Sequence, residues 1–550
     1  MFTTLEDENC IGKVTTLLPC HLFRSFCVFP GYMKKTDTLM ALAIAAIVGG
    51  LTIPAARAHD PDRAGGPAII PDMRPYADPT GAIATHSVAG RVDTRGAFFQ
   101  RLGTNGRTCA TCHALDQAMS ISTPQIQSTF VRTNGRDPLF ASVDGANCPS
   151  VKTGDRGGHS LMLQYGLLRV GMVLPANPEF TISVVHDPYG CALMTDPATG
   201  QTTVSVYRRP LPATNLGFLS TVMFDGRETV VPLTSGPPFA ANLLQDLTHQ
   251  AQDAIMGHSQ AAIAPTDQQL ADIVNFELGL STAQVWDQDA GMLNARGATG
   301  GPLNLSKQEY YPGINDALGA DPTGTAFNAS SMATFVAWAK PDSANDQTDA
   351  DDGGFLTWRH NPYYARARAR ADIAAGEKLF NTAPLTIINV RGLNDSAALT
   401  RPTSFRGTCT TCHDTPNVGD HSLPLPLDIG VGHTPRSGFE TDPAISKALS
   451  ELDEPDLPVF LVQGCPNPFN AGQPESFYTT DPGKALVTGQ CADLNRLKGP
   501  ILRGLAARAP YFHNGAARTL LEAVNFYNQR FSMSLTERQK EQLVAFLNSL

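Results

Sequence analysis

The feature that most constrains this chain is a doubled one. "GRTCATCHALDQ" at 106–117 returns as "RGTCTTCHDTPN" at 406–417. Each copy has two cysteines three apart and a histidine directly after the second. C-x-x-C-H is the attachment pattern for c-type haem: the two thiols add to the two vinyl groups of one porphyrin, and the adjacent histidine is held under the ring with its imidazole on iron. With 11 Cys and 13 His in 550 residues, chance supplies about 0.005 such motifs. Zinc sites require no Cys-His dipeptide, and neither motif follows a hydrophobic strand as a thioredoxin-like pair does. The reading is therefore two covalently bound haem c groups. Cys109 and Cys112 hold the first with His113 on iron, and Cys409 and Cys412 hold the second with His413 on iron.

Residues 1–58 read as an over-long start followed by a secretory signal. From Met33, "MKKTDTLMALAIAAIVGGLTIPAARA" has a basic start, a short apolar run and the small-residue ending Ala56-Arg57-Ala58. The mature protein is expected from about His59, periplasmic in a bacterium, with no membrane span after processing. In that oxidising compartment Cys148–Cys191 and Cys465–Cys491 are the economical disulfides. A formal charge of −10 argues against nucleic acid as a partner.

The expected fold is mainly α: two cytochrome-c-like haem domains with a loop-rich, partly β insertion. An N-terminal haem domain with insertions is read over 59–345 and a C-terminal cytochrome c domain over 346–550. "ADIAAGEKLFN" before the second motif reads as a helix with Gly376 and Phe380 on one face, and "RGAFFQRL" before the first reads similarly. Two capping boxes, Thr519-x-x-Glu522 and Ser534-x-x-Glu537, open the closing helices. Leu543, Phe546, Leu547 and Leu550 form an apolar stripe on the last. Residues 174–210 alternate with β-branched residues and turns, which predicts the β insertion.

The stretch "KGPILRGLAARAPYFHNGAARTLLEAVNFYN" (498–528) resembles the C-terminal haem domain of bacterial di-haem cytochrome c peroxidases. It is similar also to that of the di-haem enzyme that matures methylamine dehydrogenase. The shared pattern is K-x-P-x-L-R, then A-P-Y-[FM]-H-x-G, then T-L-x-E-A-V, which carries Arg503 and His513 over as residues near the cofactor. "FDGRE" at 224–228 resembles the family's aromatic-D-G-R motif between the haems. The resemblance implies an electron-supplying C-terminal haem coupled to an N-terminal haem that binds peroxide.

Several positions depart from that pattern. Where the peroxidases have a methionine ligand to the second haem, fourteen residues after His513, this chain has Tyr527. The methylamine-related enzyme also has tyrosine there, and phenolate ligation stabilises ferric and higher states, so Tyr527 is the expected axial ligand, with Met533 and His513 as alternatives. Phe224 replaces the family's tryptophan and is far harder to oxidise. The glutamine and glutamate that assist O–O cleavage correspond to Gln250 and Gln260. A glutamine cannot shuttle protons, which makes His258 the candidate acid–base group. No histidine stands at 114–158 to close the first iron, leaving it open or closed by His159, His186 or Met119. Arg209 and Arg508 stand where the family's calcium site has small polar residues, which leaves calcium doubtful. His421 and His433 lie just past the second motif.

The expected function is that of a peroxidase-like oxidoreductase. Haem one binds peroxide or dioxygen, the substrate being peroxide or an organic compound, and haem two relays electrons from a small redox protein or small-molecule donor. The alternatives are a non-enzymatic di-haem electron carrier and a haem-based sensing protein.

Overall fold

The computed structural model describes residues 68–550 except 234–235, 237, 340–361, 398–400, 421–424, 435–441 and 471–472. The leader over 1–58, the boundary at 345/346 and His421 lie outside the described residues. No helix among the described residues is long and apolar enough to cross a membrane.

The expectation of a mainly α chain is corrected here. Helix accounts for 31% and strand for 17%, and the strands form five small sheets among the described residues. Strands do fall within 174–210, at Thr181–His186, Leu193–Thr195 and Thr202–Arg208, but others lie well beyond that segment. "LRVGMV" at 168–173, "LSTAQVWD" at 280–287 and "VFLVQGCP" at 459–466 are also strands. Their β-branched and aromatic residues pack on a pleated, half-buried surface, and their partners are remote in sequence. Leu280–Asp287 pairs antiparallel with Gly81–Ser87. Val459–Pro466 pairs with Thr181–His186 as well as with Pro474–Thr479, so one sheet takes strands from before and after the second motif. Cys148–Cys191 and Cys465–Cys491 are both disulfide-bonded, with Cα atoms 6.0 and 5.4 Å apart.

Five helices position the two motifs: α1 (Pro238–Gly257), α2 (Asp267–Leu278), α3 (Pro362–Thr382), α4 (Leu520–Arg530) and α5 (Glu537–Asn548). α4 starts at the expected capping box, with the Thr519 hydroxyl accepting from Glu522 N–H. α5 starts two residues later than expected. Its box is Thr536–Gln539, while Ser534 sits at φ 58°, outside the helix. "RGAFFQRL" forms only the 3₁₀ turn Ala97–Phe99, its two phenylalanines meeting Phe276 of α2 in a tilted and an edge-on contact, ring centroids 4.9 and 5.5 Å apart.

Leu543 and Phe546 of α5, with Leu550 just beyond its end, are buried in a core with Phe335, Trp338 and Phe380. α3 and α5 approach so closely at Gly376 that a Cβ there would lie 2.0 Å from Gln542 O. Gly376→Ala must therefore push two helices apart, at a cost of about 1–3 kcal/mol, readable as a lowered midpoint in thermal unfolding.

Candidate functional site

The two motifs build the same local object. Cys109–Thr111 and Cys409–Thr411 are single 3₁₀ turns, preceded by Thr108 and Thr408, whose backbone N–H groups donate to the Thr111 and Thr411 hydroxyls at 3.0 and 2.9 Å. The histidine backbone N–H then donates to the first cysteine's carbonyl, at 3.0 Å for His113 and 2.9 Å for His413. Each imidazole Nδ1 lies on a carbonyl six residues on, Met119 O at 3.1 Å and Gly419 O at 2.9 Å. A carbonyl only accepts, so the ring proton sits on Nδ1 and Nε2 carries the lone pair. Metal-binding histidines use the same tautomer and backbone anchor. Burial holds both imidazoles near pKa 4, neutral at pH 7. Burial also raises all four motif thiols, so they are not the low-pKa thiolates of a redox pair.

Each turn forms part of the wall of a cavity. Cys109, Cys112 and His113 line one of about 190 Å³; Cys409, Cys412 and His413 line one of about 240 Å³. Arg209, Pro210, Leu211, Phe224 and Lys498 line both, so the two spaces share a wall.

The wall of the first cavity is rich in polar and charged groups. Gln250 and His258 line it. His258 Nδ1 is hydrogen-bonded to Asp144 Oδ2, and Arg107 Nη1 is 2.5 Å from Asp144 Oδ1. Burial works against the Asp144 carboxylate, but His258 and Arg107 together keep its pKa below the usual range. The pairing of His258 with Asp144 was not legible in the sequence, because Asp144 is more than a hundred residues away. Gln260 is placed elsewhere: it is exposed, at φ 53°, with its carbonyl accepting from Thr104 Oγ1 at 2.7 Å. None of the residues considered for closing the first iron lines this cavity. His159 has both ring nitrogens on backbone carbonyls, Asp155 O at 2.6 Å and Phe140 O at 3.0 Å. His186 pairs with Asp456 at 2.8 Å, and Met119 contributes only its carbonyl to His113. A thioether that the sequence reading passed over, Met223 at φ 68°, does line the cavity.

The second cavity is mainly apolar. Tyr527, Met533 and His513 all line it, and burial raises the Tyr527 phenol well above its ordinary value. His513 Nε2 is buried without a hydrogen bond, 3.8 Å from Asp481 Oδ2, and Arg508 Nε is a second buried donor without a partner. Arg503 lines neither cavity; burial lowers its pKa, and the charge of Glu377 on α3 opposes that. His433 is one layer back, Nε2 3.0 Å from Asp428 Oδ2.

This chain matches no family model and no solved structure. It is 31% identical over 157 residues to a cytochrome-c peroxidase, IdrP2, of Denitromonas iodatirespirans, covering 26% of this chain and 36% of that one. The corresponding IdrP2 of Pseudomonas sp. (strain SCT) is 27% identical over 204 residues, 33% of this chain and 50% of the relative. Cytochrome c551 peroxidase of Nitrosomonas europaea is 38% identical over 69 residues, 12% and 21% of the two chains. The chain is a divergent relative of the cytochrome c peroxidases. The matches span half or less of these relatives' own length.

The peroxidase relatives imply haem c, and the residues present fit it. Each cavity offers two thiols and a neutral imidazole. The second adds buried donors, on His513 and Arg508, suited to carboxylates such as porphyrin propionates. Calcium does not fit the position considered for it. Arg209 Nη1 donates to Gly166 O at 2.9 Å and Nη2 to Ile121 O at 2.6 Å and Arg508 O at 3.3 Å, so a guanidinium already occupies the carbonyl set. Chelator is expected to leave the unfolding midpoint unchanged, whereas Arg209→Met, which strands three buried carbonyls, lowers it; differential scanning calorimetry reads both.

Proposed function

We propose that this chain is an exported, periplasmic oxidoreductase of the peroxidase type with two covalently bound haem c groups. The first cavity takes peroxide or dioxygen, and the second relays electrons from a small redox protein or small-molecule donor. One observation carries the reading: two matched thiol–thiol–imidazole walls stand on neighbouring cavities of unlike polarity. Two disulfides fit an oxidising compartment, and the relatives are named as peroxidases.

Haem iron, when bound, supplies the redox chemistry for cleaving an O–O bond. The chain supplies everything around it. His113 and His413 present Nε2 because their Nδ1 protons are held on carbonyls. Asp144 fixes the His258 proton on Nδ1, which leaves Nε2 to accept a proton within the first cavity, and it stabilises the imidazolium that results. His258 is 49% exposed on its side chain, so it exchanges protons with solvent. Gln250 contributes a neutral amide to the same wall. Phe224 lines both cavities and is far harder to oxidise than tryptophan, so electron transfer between two bound haems would run by direct tunnelling and not through an oxidised side chain. Tyr527, which lines the second cavity with Cys409, Cys412 and His413, would help those residues hold the second haem.

The test is a pyridine haemochrome count with electron-spin-resonance spectra before and after peroxide. Two haems per chain and a high-spin ferric signal altered by peroxide are expected. Two low-spin haems unmoved by peroxide would favour a carrier, and a count of zero or one would end the reading. His258→Ala is expected to lower peroxide turnover by about 10²–10⁴; unchanged turnover would remove His258 from the mechanism.

A further inference from the structure

The two halves are parallel in more than their motifs, and at one position the parallel breaks. α2 and the residues after it read DQQLADIVNFELGL over 267–280, and α5 with its end reads ERQKEQLVAFLNSL over 537–550. Both follow a threonine–glutamine capping box, Thr266–Gln269 and Thr536–Gln539. Aligned from those caps, Phe276 falls on Phe546 and Glu277 falls on Leu547. Glu277 lines the first cavity and Leu547 lines the second. The same helical turn thus presents a carboxyl to one space and an isobutyl group to the other.

Glu277 is 6% exposed, and its Oε2 is buried without a hydrogen-bond partner. Burying such a group without compensation costs several kcal/mol when it is charged, and leucine at the matching place shows that the scaffold does not require a carboxyl there. We propose, resting on the haem reading above, that Glu277 is a proton-exchanging carboxylic acid built into the first cavity, and that it makes the two sites chemically unequal. On the alkaline side of its titration, where the Glu277 carboxyl is ionised, one electron arriving from a one-electron donor of the small-redox-protein class is matched by one proton arriving from solvent at the Glu277 carboxylate. The net charge of the cavity is then unchanged. When the electron leaves, the proton returns to solvent and the carboxylate is restored.

Burial alone raises the Glu277 carboxyl to about 8. The surrounding charges are engaged elsewhere. Arg107 and His258 face Asp144, and Arg208 and Arg227 face Asp225. Arg209 is on three carbonyls, and Lys498 has Asp420 as its charged neighbour. On α1, which packs against α2, Asp246 accepts from Val231 N–H and His249 pairs with Glu228, while Asp253 is exposed. The sulfur of Cys109, whose charge Glu277 would feel, carries no charge when it is bonded to porphyrin.

The experiment is a spectroelectrochemical titration of the holoprotein, wild type against Glu277→Gln and Glu277→Leu, from about pH 6 to 9. In the wild type the reduction equilibrium of the first haem is expected to shift up to tenfold per pH unit, about 59 mV for one electron, with the second haem unaffected. Both variants should flatten that dependence. A protonated-carboxyl C=O band in the redox-difference infrared spectrum should vanish in both. If the variants keep two haems and the wild-type slope, another group takes the proton and the proposal is overturned. Loss of the haem count in wild type would instead overturn the underlying haem reading. The glutamine variant is nearly isosteric, so its slope decides the matter even where leucine impairs folding.

Discussion

Cys409→Ala/Cys412→Ala is expected to reduce covalent porphyrin from two per chain to one, and to do so with a large loss of stability. The second cavity holds about 240 Å³ between walls that are mostly apolar. At about 24 cal/mol per Å³, a space of that size left empty costs on the order of 6 kcal/mol, comparable to the net stability of a whole domain. The double variant should therefore unfold at much lower denaturant concentration. Its counterpart, Cys109→Ala/Cys112→Ala, should also lose one porphyrin but vacate a smaller and more polar space, with a smaller drop. Chemically the pair should separate: the first-site variant loses the response to peroxide and still accepts electrons. The measurements are haemochrome stoichiometry, urea unfolding and the peroxide difference spectrum. Equal loss of peroxide response and electron uptake in both variants would contradict the assignment of unlike roles.

Arg208→Met is expected to be the most destabilising single change outside the motifs. Arg208 is 3% exposed on its side chain and lies between two buried carboxylates. Its Nε is 2.6 Å from Asp481 Oδ2 and its Nη2 2.9 Å from Asp481 Oδ1, and its Nη1 is hydrogen-bonded to Asp225 Oδ2. Arg227 Nη1 reaches the same Asp225 at 3.0 Å. Removing the central guanidinium strands buried negative charge, which costs about 3–5 kcal/mol.

The same network sets an acid limit. Burial opposes ionisation of Asp225, but Arg208 and Arg227 hold its pKa down to about 2, and Asp481 is lowered by Arg208 in the same way. A carboxyl depressed in the folded state contributes stability above its unfolded value near 3.9 and loses it as pH falls toward the folded value. Acid unfolding should steepen between about pH 4 and 2 in the wild type, and Arg208→Met should lose stability above that window while flattening the slope within it. An unaltered acid profile would show that the network is not what resists acid.

The network also explains the FDGR stretch in physical terms. Asp225 is the carboxylate that Arg208 and Arg227 share, Gly226 turns the backbone at φ 74°, and Phe224 lines both cavities. Sequence alone showed that this segment is special; it could not show that its aspartate is bound to an arginine at the end of a strand and, through it, to Asp481 far downstream.

What the sequence determined by itself is what depends on short spacings. The cysteines and histidine of each motif, the Thr519 cap, the Gly376 contact face and the two disulfide pairings could all be read from neighbours or from simple pairing. The tertiary structure decided the rest, because it depends on groups remote in the chain. It alone built the sheets, moved the α5 cap to Thr536, put Gln260 and Arg503 outside the cavities and set Asp144 against His258. It also placed Glu277 and Leu547 at matching positions in two unlike spaces. Hydrogen bonds three or four residues apart are written in local order, whereas burial and charge pairing are properties of the folded surface and exist only once distant segments meet.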